Sequence, residues 1–587
     1  MGEKRIVIQE KIKKNLPEFL TVLLCLVILG AGVCQKQGYH MDELLSFELA
    51  NARFTPWIVP TQPQGRLEKF VRNEIEADTF KEAAGNLITT IQDVLQNGGS
   101  SKMLSYRADV YEEPVWITGQ QFRDYITVGE KDAFNYLSVY FNVKDDNHPP
   151  LHFMLLHTMS SLFRGKISPM LGCSINLAAL AGILILLMGL GRRFGRELGY
   201  SEGAGRLLGI MAALCFGLSA GAMAMTLLIR MYALLAFFCT ALFYVHVKKW
   251  QEDDFGGHNK WLIFVTAAGF WTQYFFLFYC LCLAAVTAAA LLRHKKYREL
   301  GKYVCSMVIA GVVGVAVFPF AISDVFSSGR GVEALDNLSK GFAGYGERIM
   351  TFLRILADKT FGDLFWFLLL LLSGCLFVWI WGIFAKRRVQ KAEKTVFWML
   401  LLPVAGYFLL AARMSPYLVD RYMMPLFAFV VFGGALILMY VLKCAAKASG
   451  VWRRLIHLCI WFLLFVQMTG FLRYDGAYLY TGYALQESMA EENADCPCIC
   501  VYEGVGYYEN LVEFMHYEKT LLVKPKELAD RKDRESITSL DKVVLLVKPG
   551  VDFAETARTM EGYGFTLEEI LWRDGVHGDT AGIFANR

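Results

Sequence analysis

Charge is what this chain has least of. Only 19% of its 587 residues are Asp, Glu, Lys or Arg, against 55% apolar, and mean hydropathy is +0.36. Soluble domains hold roughly 45–50% apolar and about 25% charged residues, so an ordinary soluble globule is excluded. The net charge of +4 is too weak to argue for a nucleic-acid partner, and where the cations sit says more than their sum. No internal repeat or low-complexity segment is evident. A cleavage pattern is missing too: the apolar run Phe19–Val33 passes straight into Cys34-Gln-Lys, with no small-residue signal site. It reads as an uncleaved first span with the basic residues 1–16 on its cytoplasmic side.

A cysteine framework is also lacking, although the chain has fourteen cysteines. Cys25, Cys173, Cys215, Cys239, Cys280, Cys282, Cys305, Cys375, Cys444 and Cys459 lie in apolar stretches, where a thiol behaves as a small hydrophobe. The one cluster is Cys496, Cys498 and Cys500. A structural zinc site needs a second pair, and the tail offers only His516 and His577. In a strand the three thiols share one face, which makes a disulfide between them awkward. They read as buried or free thiols at a strand start, with an intermolecular or redox role open.

What is present in abundance is apolar runs of spanning length. They fall near 17–36, 168–191, 204–225, 231–247, 302–322, 364–385, 395–412, 422–442 and 452–472. The segment 261–292 is too long for one span, has Thr272 and Gln273 in its middle, and reads as a hairpin. The expectation is a polytopic α-helical membrane protein with about eleven spans. The segment 148–163 is short for a span and opens on Pro149-Pro150. If it stays on the outer surface, Arg192/Arg193/Arg196, Lys248/Lys249, Arg293/Lys295/Lys296/Arg298, Lys386/Arg387/Arg388 and Arg453/Arg454 all fall inside, as the positive-inside rule asks. It is therefore expected to be an interfacial or re-entrant helix. The outer loop 323–363, with Arg330, Lys340, Arg348, Arg354 and Lys359, fits that rule badly. Its stripe Ile349, Phe352, Leu353 and Leu356 is what a helix lying on an anionic surface would show. An odd span count leaves the tail outside. The expected parts are a membrane body over 17–475, including an outer loop 37–147, and a small extracytoplasmic α/β domain over 476–587. Its β-rich runs are Ile499–Tyr502, Leu521–Val523 and Val543–Val547.

Charges at the membrane are costly unless used, and four sets gather at the expected outer face. They are Asp42-Glu43; Asp146-Asn147-His148-Pro149-Pro150; Arg230-Met231-Tyr232; and Asp420-Arg421-Tyr422 followed by Pro425. Each alone is weak, since an acidic pair after a span is usually solvated loop and an arginine at a span end usually an anchor. Together, carboxylates and arginines at one face suit a reaction with an acceptor to deprotonate and a phosphate to hold.

The order Asp42-Glu43, then Asp146-x-His148-Pro149-Pro150-Leu-x-x-x-Leu-Leu-His157, then Arg230-Met-Tyr-Ala-Leu, then Arg421-Tyr422-x-x-Pro425 resembles glycosyltransferase family 39. These are relatives of the protein O-mannosyltransferases and the lipid A aminoarabinose transferases, within the GT-C fold. The resemblance covers roughly residues 17–470, and neither the tail nor much of 51–115. It implies a GT-C-like body and a polyprenyl-phosphate-linked sugar as donor, with transfer at the outer leaflet of the cell membrane. It implies Asp42, with Glu43 and Asp146 as further acidic candidates, as base on the acceptor hydroxyl, and Arg421 with Arg230 on the donor phosphate. His148, Tyr232 and Tyr422 complete the expected substrate-binding set. Phosphate is a good leaving group, so one base and cations on the developing charge suffice, and direct displacement inverts the anomeric centre. Relatives often carry a glutamate just before the Arg-Met-Tyr element; here Ile229 stands there, and Glu43 or Asp146 are the candidate substitutes. No cofactor is called for. A divalent metal is left open, with no oxygen ligands beyond Asp42, Glu43 and Asp146 to suggest one. The acceptor, whether glycan, glycolipid or protein, is not legible. Two other readings compete: a transporter or flippase of lipid-linked saccharides, and an inactive relative acting in envelope assembly.

Overall fold

The structure is a computed structural model. It describes residues 2–54, 58, 66–96, 116–144, 146–257, 259–326, 329–339, 344–366, 368–370, 373, 395–445, 450–530 and 535–586. Among these, seven helices are long and apolar enough to cross a membrane: Asn15–Val33, Pro169–Glu197, Tyr232–Gln251, Phe276–Arg293, Tyr297–Val317, Thr395–Met414 and Met424–Lys443. Most of the expected span 364–385, and the basic cluster 386–388, lie outside the described residues.

The remaining expected spans take other forms. The run 204–225 is two helices, Glu202–Gly217 and Ala220–Leu227, bent by 59° at their junction. Ser219 makes the break, because its hydroxyl caps the second helix by accepting from the Ala222 N–H at 3.1 Å. The segment 261–292 is the expected hairpin, with Lys260–Phe270 and Phe276–Arg293 joined by a short turn. Its first arm and the final apolar helix, Gly450–Met468, carry apolar stretches shorter than the other spans. Leu151–Leu162 is a 12-residue helix, about 18 Å long and too short to cross a hydrocarbon layer of about 30 Å. Helices Pro169–Glu197 and Glu202–Gly217 approach so closely that a Cβ on Gly191 would meet the Gly209 backbone. That is the small-residue contact by which membrane helices pack.

The helix Tyr345–Lys359 corrects an expectation. Its stripe faces protein rather than a lipid surface: Phe352 and Leu356 are buried, with Ile349 and Leu353 packed on the same core. Arg348 donates to the carbonyls of Ala412 and Ser415, so the cation closes the open carbonyls at the end of the neighbouring helix.

The bundle has two chemically distinct ends. At one, Glu18 near the start of the first span accepts from Arg206 and Arg192, and Arg193 pairs with Glu252 at 2.9 Å. At the other end the same helices deliver Asp42 just beyond Val33, Arg230 just before Tyr232, and Arg421 just before Met424.

On the site's side of the chain the backbone builds a six-stranded sheet in the order β1-β3-β2-β4-β6-β5. Its strands are β1 (Trp116–Thr118), β2 (Cys498–Val501), β3 (Lys519–Val523), β4 (Lys542–Val547), β5 (Phe565–Trp572) and β6 (Thr580–Asn586). The centre β3-β2-β4 is parallel; β1, from the long first loop, adds antiparallel to β3. Strand alternation splits β2. Cys498 and Cys500 join the large core continuous with the helical body, while Ile499 and Val501 enter a separate core under the opposite face. Cys496, Cys498 and Cys500 are free thiols, the first half-buried and the other two buried.

Candidate active site

Asp42 is placed by a short helix, Met41–Asn51, that begins a few residues beyond the first span. His40 caps it: its Nδ1 accepts from the Asp42 N–H at 3.0 Å, and Glu43 Oε2 accepts from the His40 N–H at 2.7 Å. This is a capping box built on histidine in place of serine or threonine. Burial holds the His40 imidazole below its ordinary value, against the pull of Asp42 and Glu43. A neutral ring can accept at Nδ1, and a charged one cannot.

The cap turns the two acidic neighbours in different directions. The Asp42 carboxylate faces a cavity of about 220 Å³ and meets the Arg421 guanidinium there. Burial alone would raise its carboxyl, but Arg230 and Arg421 hold it well below the usual carboxylate range. Arg421, whose charge burial would disfavour, is held protonated by the Asp42 carboxylate. It sits on the single 3₁₀ turn Asp420–Tyr422 that opens the helix Met424–Ala445.

Arg230 is fixed from below. Its Nη1 donates to the Asp42 carbonyl at 3.0 Å and to Ser46 Oγ at 2.7 Å, and its Nη2 lies 3.4 Å from His148 Nδ1. His148 also lines the cavity, and its Nδ1 is 3.0 Å from Asp146 Oδ2. The Leu151 N–H donates to the Trp271 carbonyl at 2.9 Å, which ties this segment to the hairpin turn. Tyr232 and Tyr422 line the same cavity, their rings edge-on at 6.3 Å. Tyr407 donates to the Tyr422 carbonyl at 3.0 Å and steadies that turn. The Nε atoms of Arg230 and Arg421 and Oδ1 of Asn147 are buried with no hydrogen-bond partner among the described residues. Polar capacity is thus concentrated where a ligand would enter.

Two expected acids take supporting places instead. Glu43 is fully buried: Lys36 donates to its Oε2 at 3.0 Å, and its Oε1 accepts from the Ile229 N–H at 2.6 Å. With both oxygens engaged away from the cavity it positions the helix and has no access to a substrate. The same bond ties the Glu43 carboxylate to the backbone at position 229. Asp146 does not line the cavity. Burial would raise its carboxyl, but His148 holds it below the ordinary range; it lies behind His148 as that ring's partner. Among the described residues no group of three or more His, Cys, Asp or Glu could hold a metal ion.

The cavity also has walls that the sequence did not flag. Gln273, Tyr274, Phe275 and Phe278 come from the hairpin, Asp324 from the short helix Ala321–Phe326, and Tyr417 from the turn before Arg421. Tyr478 was missed as well. Its hydroxyl donates to Asp420 at 2.6 Å, and its carbonyl accepts from Lys36 at 2.8 Å. It thereby joins the turn carrying Arg421 to the lysine that holds Glu43. No sequence signal marks it, because its two partners lie far off in the chain.

No protein-family model matches the sequence, and a comparison with curated proteins finds no match. Two solved structures are similar in overall architecture. One is ArnT from Cupriavidus metallidurans bound to undecaprenyl phosphate, 12% identical with a TM-score of 0.49, covering 97% of this chain and 98% of that one. The other is ArnT from the same organism in the apo state, 14% identical with a TM-score of 0.43, covering 75% and 88%. Likeness at this distance says nothing of ligand or reaction, which rest on the residues themselves.

Proposed function

We propose that this protein is a membrane glycosyltransferase that moves a sugar from a polyprenyl-phosphate donor to an acceptor hydroxyl. The observation that carries the reading is the Asp42–Arg421 contact at one cavity, with Arg230 and His148 beside it. A base and a set of cations that share one concave site suit attack on a carbon whose leaving group is a phosphate. Asp42 takes the proton from the acceptor O–H. The acceptor oxygen bonds to the anomeric carbon as the bond to the phosphate oxygen breaks, and that electron pair leaves with the lipid phosphate. Arg421 and Arg230 hold the developing charge; a planar guanidinium suits phosphate oxygens better than an ammonium does. One attacking face gives inversion. Asp146 keeps His148 in place, and Glu43 keeps the helix of Asp42 in place.

The site is assigned to the outer face. It lies at the end of the bundle opposite the Arg192, Arg193 and Arg206 cluster, and clustered cations mark the cytoplasmic side. The N-terminus is then cytoplasmic and the sheet extracytoplasmic.

One observation favours a transporter: the broken span 202–227, since discontinuous helices mark many carrier sites. That break is closed by its own serine cap, and Ala220–Leu227 is buried throughout, with no charged residue in it. The break itself contributes no charged residue to hold an ion or a phosphate.

The test is deletion of the gene in its host, with envelope lipids and glycans compared by mass spectrometry, and complementation with wild type, Asp42→Asn and Arg421→Ala. Loss of one sugar from an envelope component, with its polyprenyl-phosphate form accumulating and neither variant restoring transfer, supports the reading. Full rescue by Asp42→Asn removes Asp42 as base. An unchanged glycan profile in the deletion favours an inactive assembly protein.

A further inference from the structure

The two groups that meet at the cavity come from distant parts of the chain. Asp42 follows the first span, and Arg421 stands 379 residues later on the 3₁₀ turn Asp420–Tyr422. A hydrogen bond from the Met423 N–H to the Asp420 carbonyl at 2.8 Å closes that turn, but it does not fix where the turn sits. Two tyrosine hydroxyls do, one at each end. Tyr407, from the span Thr395–Met414, donates to the Tyr422 carbonyl at 3.0 Å, and Tyr478 donates to Asp420 Oδ1 at 2.6 Å. Arg421 stands between the two pins.

Tyr478 belongs to an irregular segment, 474–482, that leads from the last apolar helix to the helix Tyr483–Glu492. Near its start Asp475 accepts from Lys359 at 2.8 Å. In its middle the Tyr478 carbonyl accepts from Lys36, and the Leu479 carbonyl from the Gln37 N–H, both at 2.8 Å. At its end the Gly482 N–H donates to Gln37 Oε1 at 2.6 Å. The Lys36 ammonium also lies 5.0 Å from the centre of the Tyr480 ring. At Gly38 the approach is so close that a Cβ would meet the Tyr483 side chain at 2.7 Å. Lys36, Gln37 and Gly38 form the linker between the first span and the helix of Asp42. The segment is thus a strap, bonded on one side to the linker ahead of Asp42 and on the other to the turn of Arg421. Beyond it, the Tyr483 hydroxyl donates to Glu513 and joins the strap to the sheet region.

We infer that the strap 474–482, acting through the Tyr478–Asp420 hydrogen bond, positions Arg421 opposite Asp42 and holds the guanidinium where the donor phosphate binds. This rests on the transferase reading above. Tyr478 does not line the cavity; it is a positioning residue, and its effect passes through Arg421. A displacement of about 1 Å at such a group is enough to cost up to about a hundredfold, so a single hydroxyl outside the cavity can govern affinity within it.

The test measures binding of undecaprenyl phosphate to the full-length protein in detergent, well below each variant's unfolding temperature, with undecaprenol as the phosphate-free control. Wild type is expected to prefer the phosphate, and Arg421→Ala to lose most of that preference. Tyr478→Phe removes one hydroxyl and keeps the ring. It should weaken binding of undecaprenyl phosphate about five- to tenfold, the range of one hydrogen bond, and leave undecaprenol unchanged. Asp420→Ala should match it, and the two changes together should cost no more than either alone. In an Arg421→Ala background Tyr478→Phe should have no further effect. A hydroxyl that serves stability alone would lower the unfolding temperature and leave both affinities as in wild type. That result, or a loss that adds to the loss from Arg421→Ala, overturns this inference alone. A wild-type protein that does not distinguish the two lipids, or an Arg421→Ala variant that binds as wild type does, overturns the assignment of Arg421 to the donor phosphate and this inference with it.

Discussion

Asp42 and Glu43 are neighbours in sequence and opposites in structure. Glu43 sits where every contact is made: an ammonium from Lys36, two backbone N–H groups, and no exposure. Asp42 sits where contacts are left over, against one arginine side chain, near a second, and facing a cavity. A saturated carboxylate is architecture. An unsaturated one, held charged by cations that a ligand can borrow, is available for chemistry. The difference of one position along a helix, about 100° around its axis, separates the two.

The contrast breaks most visibly at Asp42. Asp42→Asn should lower transfer about 10²–10⁴-fold, the contribution of a positioned base, together with some loss of stability, because its charge is what Arg421 and Arg230 face. Wild-type transfer by the variant, assayed below its own unfolding temperature, would make Asp42 a structural residue like its neighbour. Arg421→Ala comes next, with an expected loss of about 10²–10³-fold, as for a preorganised charge-stabilising group; Arg421→Lys should recover only part of it. The pH profile sharpens the same point. With its folded value depressed, Asp42 keeps its charge and its stabilising contribution at every pH above the ordinary carboxylate range. It loses them only as pH falls through the lowered folded value. The acid limb of kcat/KM should therefore lie below the ordinary carboxylate range in wild type and move up in Arg421→Ala.

At Glu43 the expected loss is in stability. Glu43→Gln leaves the Lys36 ammonium buried without its counter-charge and should cost about 3–5 kcal/mol, read by thermal or denaturant unfolding. The double variant Glu43→Gln/Lys36→Met should cost less than the single one, because no unpaired charge remains. The smallest effect is expected at a third carboxylate, Glu513 in the sheet region. It is buried, with the Tyr483 hydroxyl and the Asn510 amide donating to it, and burial pushes its carboxyl up to about 7. The folded protein then holds that proton up to about pH 7, while the unfolded chain releases it near 4.5. Stability should fall as pH rises across that interval and level off above it. Glu513→Gln should flatten the slope.

The apolar runs could be read from the sequence because membrane spans are long and nearly uncharged, and the hairpin betrayed itself by Thr272 and Gln273. The break at Ser219 could not: one serine inside an apolar run looks like any small residue until its hydroxyl is seen capping a helix. Three central strands match apolar runs in the tail. β5 has Glu568 and Glu569 in its middle and an irregular register, and β1 is three residues long and joins the sheet from some 400 residues away, so neither shows a strand pattern. The clustering of Asp42, His148, Arg230 and Arg421 was suggested by their shared position at span ends. The division of labour among the acids was not, since it depends on which way a capped helix turns each side chain. Asp324 and Tyr478 carry no local signal, because what makes them notable is a partner elsewhere in the fold.

Under the proposed chemistry the Arg421–Asp42 pair would also work as a safety catch. The guanidinium that would receive a phosphate is paired with the base, and a carboxylate gripped in that way is a poor proton acceptor. Under the proposed chemistry, an arriving lipid phosphate draws Arg421 toward itself, and the base grows stronger only once the donor is seated. Water that enters an unloaded site meets a disarmed base, and a loaded donor meets one armed by its own arrival. The enzyme would then bind donor before acceptor, and activated sugar would be shielded from hydrolysis without a lid.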